Sequence, residues 1–436
     1  MMKVSLFWHR RDLRFQDNAG LAAALQGEQP VVPLFIFDPE ILDKLDNRQD
    51  ARVMFIYDEV QRLTKEAEAA GGTMLVRYGK PEKVFAALLK ELDVAAVHTN
   101  HDYEPYAATR DQAVTELLAK HQIPLHTYKD QVIFEKDEVQ TKTGQPYKIY
   151  GPYKRSWLAR LTEADYRPHP SADHLDKLAR VPAGARPTLA DMGFERSPEH
   201  IPGRRLASRT LEQYADTRDL PARDSTSRMG LHLRFGTVSI RHLVQRALEA
   251  KAEIWLSELI WRDFFMQLLW HFPHTAHESY DPKLRDIKWR NNEDEFRAWC
   301  EGRTGYPLID AGMRQLNATG FMHNRVRMAT ASFLIKNLLI DWKWGEAYFA
   351  EKLLDYEMAS NVGNWQWVAG TGADSQPWFR IFSPDSQLAK FDKQHAYVKQ
   401  WVPEFGTPRY PKPMVEHPAT RDRALAAYRA SRDLHA

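Results

Sequence analysis

The sequence predicts two domains of different class: an amino-terminal α/β domain built on a doubly wound parallel sheet, then a large all-α domain. Three observations carry this. Over residues 1–130 short β-rich runs alternate with helical patterns. From Thr162 to Gly203 the periodicity dissolves into a stretch holding Pro168, Pro170, Pro182, Pro187, Pro198 and Pro202. Beyond it the periodic segments have helical spacing, as in Ile254 to His271, Arg325 to Leu339 and Gly345 to Leu354. The expected boundaries are 1–130 for the α/β domain, 131–205 for an interdomain connector and 206–436 for the helical domain. A chain of 436 residues has room for two cores, since single domains usually run to roughly 100–200 residues.

Within the first domain the candidate strands are Val4 to Trp8, Val31 to Phe37, Thr73 to Arg77, Ala95 to Thr99 and Pro124 to Tyr128. Between the second and third, Val53, Ile56, Val60, Leu63 and Ala67 recur at helical spacing, and Gly71-Gly72 supplies a stop. Strand and helix in alternation argue for a parallel sheet covered on both faces. The turn after the first strand reads Trp8-His9-Arg10-Arg11-Asp12-Leu13-Arg14 instead of the glycine fingerprint of a dinucleotide site, so such a site is not expected there.

Composition narrows the function classes. Hydrophobic residues make up 43% and charged residues 27%, and no apolar run approaches the roughly 18 residues of a membrane span, so no membrane partner is expected. Cys300 is the single cysteine, which excludes an intrachain disulfide and a cysteine-based metal cluster and suits a reducing cytoplasm. The amino terminus has none of the marks of a secretory signal. A net charge of +2 neither demands nor forbids nucleic acid, so any DNA-binding face must come from local clustering. The 13 Trp concentrate after about residue 250, where plain core packing favours Leu and Val.

Four motifs carry chemistry. In Trp255-Leu256-Ser257-Glu258-Leu259-Ile260-Trp261-Arg262, Glu258 and Arg262 share a helix face, so the ordinary alternative is an exposed Glu–Arg pair. Met322-His323-Asn324-Arg325-Val326-Arg327-Met328 sets two arginines, an amide and a thioether on little more than one turn, suiting phosphate, a base edge and a flat ligand. Asp355-Tyr356-Glu357 through Asn361 to Trp365-Gln366-Trp367 mixes acids, amides and indoles where a core helix should be apolar; buried polar groups need partners, so a polar ligand or a capped helix start explains it. Thr226-Ser227-Arg228-Met229-Gly230 offers hydroxyls and backbone donors suited to a diphosphate.

Together these segments, in this order and spacing, resemble the photolyase and cryptochrome family over nearly the whole chain, most closely its class I cyclobutane-dimer photolyases. The resemblance implies a photolyase-type α/β domain ahead of a helical domain that binds one non-covalent FAD. It also implies light-dependent repair of pyrimidine dimers in DNA by electron transfer from the excited reduced flavin, in a cytoplasmic protein acting as a monomer without an obligate protein partner. Carried over by position, Tyr214, Thr226, Ser227 and Met229 match contacts to the FAD phosphates and ribityl, with Arg228 and Gly230 in the same turn. Trp255 and Arg262 match further phosphate-side contacts, Arg327 and Asp355 an ion pair flanking the isoalloxazine, and Asn361 the amide facing its N5. Gly230 stands where many relatives have Ser, and Glu357, beside the flavin, where Asp is usual. On the substrate side Glu258 and Asn324 match hydrogen-bonders to the dimer, Trp261 and Trp367 stacking walls, Met328 the packing contact between them and Arg325 a clamp. Trp365, Trp342 and Trp289 match three tryptophans that pass electrons to oxidised flavin, with core filling as the ordinary alternative.

Three rival readings share the scaffold. A cryptochrome photoreceptor is opposed by Asn361 and by the short segment after Trp401; a six-four photolyase is opposed by Asn324 at the substrate, although His323 precedes it; a flavin-binding module without catalysis is the third. For a second, light-harvesting pigment, Ala107 stands where folate-binding relatives carry an acid, which argues against folate and leaves a deazaflavin, a flavin or none open.

Overall fold

In the computed structural model, which describes residues 2–435, five runs of β-branched and aromatic residues form one sheet. They are β1 (Lys3–His9), β2 (Val31–Phe37), β3 (Leu75–Tyr78), β4 (Asp93–Asn100) and β5 (Leu125–Tyr128). Every pairing is parallel and the order is β3-β2-β1-β4-β5. All seven residues of β2 are buried, as befits a strand covered on both faces. Pro33 is tolerated because β3 pairs with β2 only from Leu34 onward, leaving the proline no ladder partner to deprive on that side. Crossover helices α1 (Ala19–Gln26), α2 (Ala51–Ala69), α3 (Pro81–Glu91) and α4 (Pro105–Lys120) connect the strands. Asn18 caps α1 by accepting from the Leu21 amide, and Gly71 follows α2 at φ +85°, a left-handed turn that glycine enters without strain.

The helical unit contains α5 (Tyr150–Arg160), α6 (Ser208–Thr217), α7 (Glu253–His271), α8 (Pro307–Thr319), α9 (Asn324–Ser332), α10 (Trp342–Lys352), α11 (Met358–Ala369) and α12 (His417–Asp433), among others. Its core gathers Trp299, Ile309, Met313, Phe333, Trp342 and Trp365. The helix expected over Arg325 to Leu339 is α9 followed by a π turn at Phe333–Asn337. A wider turn there seats the fully buried Lys336, whose Nζ donates to the Ala369 and Trp378 carbonyls at 2.7 and 2.9 Å.

The stretch expected as a connector is divided. The compact units comprise residues up to Glu135 with Arg160–Arg205 and Arg228–Glu249 on one side, and Lys136–Ala159, Leu206–Ser227 and residues from Ala250 on the other. The proline-rich part is sewn to the sheet: Ala179 donates to Val31 O and Thr73 to Ala179 O, each through the backbone. Arg228–Glu249 joins it through Arg241, which donates to Asp17 Oδ1 at 2.8 Å and Asp130 Oδ1 at 2.7 Å. Burial opposes ionisation of Asp130, but Arg14 and Arg241 outweigh it and hold the carboxyl at about 2. Among the described residues no helix is long and apolar enough to cross a membrane, and no cluster of His, Cys, Asp and Glu could hold a metal ion.

Candidate functional site

The helical unit contains a cleft of about 560 Å³, counted to its open mouth. Four segments build it: α9, the end of α10 with Phe349 and Leu353, the Asp355–Glu357 turn, and one face of α11. His323 starts α9 by accepting the Arg325 amide at Nδ1, which sets Asn324, Arg327 and Met328 along the wall. Burial pushes the His323 imidazole down to about 4, so it caps the helix as a neutral ring. Arg327 donates to Asp355 Oδ2 at 2.9 Å and to Met322 O at 2.7 Å. The other oxygen, Asp355 Oδ1, is buried without a hydrogen-bond partner. An orphaned carboxylate oxygen in a cleft that sets Trp365, Phe349 and Met328 beside the amides of Asn324, Asn361 and Asn364 fits a flat heteroaromatic ring with an N–H edge.

Asn361 stands one turn before Trp365 on α11, and its side-chain amide donates to Glu346 Oε1 at 2.9 Å. Burial raises Glu346 above the ordinary carboxylate range, partly countered by that bond. The sequence reading missed Glu346; a Glu one turn after Trp342, on a helix that also buries Trp342 and Phe349, was the available signal. Gly345, next to it, lets the Trp365 ring lie on the α10 backbone, where a Cβ would fall 2.1 Å from the indole. Trp365 thus joins the cleft to the core, Trp342 lies in the same cluster, and Trp289 packs at its edge against Tyr428.

Glu258 and Arg262 do not pair with each other, which corrects the alternative of an exposed Glu–Arg pair. Arg262 and Glu357 form a buried fork, with Nε to Oε2 and Nη2 to Oε1 both 2.9 Å. Glu357 reaches that guanidinium with both carboxylate oxygens. Glu258 Oε1 instead accepts from Arg218 at 2.6 Å. Arg325 donates to Asp219 Oδ1 at 2.8 Å, touches Met328 Sδ at 3.8 Å and lies over the Phe391 ring. Trp261 is stacked on Tyr150 at 3.6 Å between ring centroids and on Phe265 at 5.4 Å, so it belongs to an aromatic set that the sequence did not reveal. Trp367 is half-buried beside the core cluster, Trp255 is buried on α7, and Tyr214 carries the Arg218 guanidinium over its ring at 5.3 Å. Thr226 and Ser227 fall in the helical unit, whereas Arg228, Met229 and Gly230 fall in the α/β unit; Arg228 has φ +51° and Gly230 opens a short helix.

The α/β unit has its own cleft, of about 800 Å³ to its mouth, at the carboxyl ends of β1, β2 and β4. That is the switch point of the sheet, where open α/β folds bind ligands. Trp8 lies between the guanidinium groups of Arg10 and Arg110, at 4.9 and 5.1 Å. Arg10 pairs with Asp111, and Arg11 with Asp102 and Glu104. Arg110 Nη2 is buried without a hydrogen-bond partner, with Asp102 Oδ2 4.0 Å off. Ala107 is buried in the wall of this cleft.

Comparison with known proteins matches these two regions separately. A family model described as the FAD binding domain of DNA photolyase covers residues 255–408, and one described as DNA photolyase covers residues 5–173. A deoxyribodipyrimidine photo-lyase of Halobacterium salinarum is 34% identical across 98% of this chain and 99% of its own length. The chain belongs to the DNA photolyase family. Among solved photolyases, a bacterial class III enzyme from Agrobacterium tumefaciens superposes with a TM-score of 0.86 at 32% identity, over 99% of this chain and 98% of its own. An archaeal photolyase from Sulfolobus tokodaii, solved with two FAD molecules, gives 0.81 at 33% identity over 98% and 100%.

Proposed function

We propose that this photolyase repairs cyclobutane pyrimidine dimers in DNA under light, with one FAD in the helical cleft. The observation that carries the reading is the cleft wall, where Arg327 holds Asp355 with one carboxylate oxygen left open beside Asn361 and Trp365. When bound, FAD supplies the redox chemistry: light lets it give an electron to the lesion and recover it after the bridging bonds open. The chain's residues position and tune. Arg327 and Asp355 would hold the flavin, toward which Asn361 would turn its amide in the orientation that Glu346 imposes, and the Arg262–Glu357 fork braces α7 against the start of α11. Trp365, Trp342 and Trp289 would offer bound flavin a path of readily oxidised indoles. Glu258 and Asn324 address the dimer's polar edge, and Trp367, Met328 and, once Tyr150 gives up its place on the indole, Trp261 address its rings after the dinucleotide has left the duplex.

His323 favours the cyclobutane dimer over the six-four product. Moving an oxygen between rings calls for a protonatable histidine, and His323 is held neutral as the cap of α9. We propose further that the α/β cleft takes a second, light-harvesting pigment of flavin type; the open Arg110 Nη2 and the buried Ala107, where folate binders carry an acid, support this. The test offers both lesions in separate oligonucleotides to FAD-loaded protein, in blue light and in the dark. Light-dependent loss of the cyclobutane dimer is expected; turnover of the six-four product alone contradicts the assignment.

A further inference from the structure

Two consecutive residues just after α6 engage two of the side chains assigned above to the substrate. Arg218 donates to Glu258 Oε1 at 2.6 Å, and Asp219 Oδ1 accepts from Arg325 Nε and Nη2 at 3.1 and 2.8 Å. All four side chains are half-buried, 20% to 41% exposed, so both pairs stand where a large partner can reach them. Glu258 and Arg325 thus both have protein partners before any lesion arrives.

Charge gives this arrangement a consequence. A carboxylate against a pyrimidine that is to receive an electron opposes the transfer, whereas a neutral acid donating to the ring carbonyl supports the charge that develops there. Burial raises the Glu258 carboxyl above the ordinary range, and Arg218 is the main group opposing that rise. The other groups that act on it or respond to it are Asp219, Tyr214 on α6, and Lys154 and Tyr150 on α5. The neighbouring His323 remains neutral and is no competing proton acceptor near pH 7.

We propose that Arg218 and Asp219 form a clasp that the lesion opens: backbone phosphates draw Arg218 from Glu258 and Arg325 from Asp219, and Glu258 takes a proton from solvent and donates it in a hydrogen bond to a lesion carbonyl. No covalent bond to the lesion changes in this step, and the proton returns to solvent when repaired DNA leaves. Arg218 and Asp219 are positioning residues that couple backbone recognition to the charge of Glu258. The inference rests on the lesion occupying the pocket proposed above.

Calorimetric titration of a dimer-containing oligonucleotide in buffers of different ionisation enthalpy, with undamaged DNA subtracted, counts the protons. The native protein should take up about one proton per lesion, and its lesion affinity should fall up to about tenfold per unit as pH rises above neutral. Glu258→Gln should bind the lesion with neither proton uptake nor that slope. Arg218→Gln, which removes the cation that favours the charged form of Glu258, should take up less than the native protein, and Arg218→Lys should restore the uptake. Selective lesion binding without proton uptake in the native protein, or undiminished uptake in Glu258→Gln, overturns the proposal. Absence of any selective lesion binding strikes the assignment of the pocket instead.

Discussion

The two clefts solve opposite problems. In the α/β unit the charges largely satisfy one another: Arg10 with Asp111, Arg11 with Asp102 and Glu104, Arg234 with Glu104. In the cleft wall Arg110 Nη2 is left open. In the helical unit the charges are arranged toward a space, since Asp355 offers an unused oxygen and Asn361 is locked from behind by Glu346. A cleft that closes on its own ion pairs stands without an occupant, whereas a cleft that leaves buried acceptors open is stabilised by one. The helical cleft should therefore depend on its cofactor and the α/β cleft should not.

The largest effect expected from breaking this contrast is at Arg262. Arg262→Ala strands Glu357 in the interior and should lower stability by about 3–5 kcal/mol, measured by denaturant unfolding, together with loss of retained flavin. Next comes pH. His323 titrates at about 4 in the folded protein against 6.5 ordinarily, so below pH 6.5 the unfolded chain binds the extra proton. Stability should be full above pH 6.5 and fall as pH drops toward 4, by up to about 3 kcal/mol in the limit, and His323→Gln should flatten that part of the pH profile. Smaller again is Glu346→Ala, which removes a buried acceptor of the Asn361 amide: about 1–3 kcal/mol in stability and a shifted reduction potential of bound flavin are expected, with little change in flavin content. The smallest effect on the helical cleft is that of Arg110→Ala, which should lower the content of any second pigment, read from the absorption spectrum, while FAD content stays unchanged.

How much of this was legible in the sequence follows from the range of the interactions. The strands around Val4 to Trp8 and Val31 to Phe37 announce themselves because a buried parallel strand is a continuous apolar run. The cleft on α9 and α11 was legible for a related reason: Asn324, Arg327, Met328, Asp355, Glu357, Asn361 and Trp365 come from two short motifs, and the fold brings them to one wall. Partnerships across the chain were not. Nothing local tells Arg262 to choose Glu357, 95 residues away, over Glu258 on its own helix. Tyr150 against Trp261 and Arg218 against Glu258 are likewise pairings of distant segments. The proline-rich stretch read as a connector because it forms only short 3-10 turns and its backbone joins the sheet through single bonds at Val31, where β2 begins, and at Thr73, just ahead of β3.

The measurement that tests the central claim most directly is flavin stripping and reconstitution. Protein freed of flavin and titrated with FAD should bind about one equivalent in the helical cleft, with a rise in melting temperature and light-dependent dimer repair returning in proportion to occupancy. Asp355→Ala should bind FAD markedly more weakly and recover repair only as far as it is loaded. Full-affinity FAD binding by Asp355→Ala, or dimer repair that returns without regard to FAD occupancy, would contradict the account.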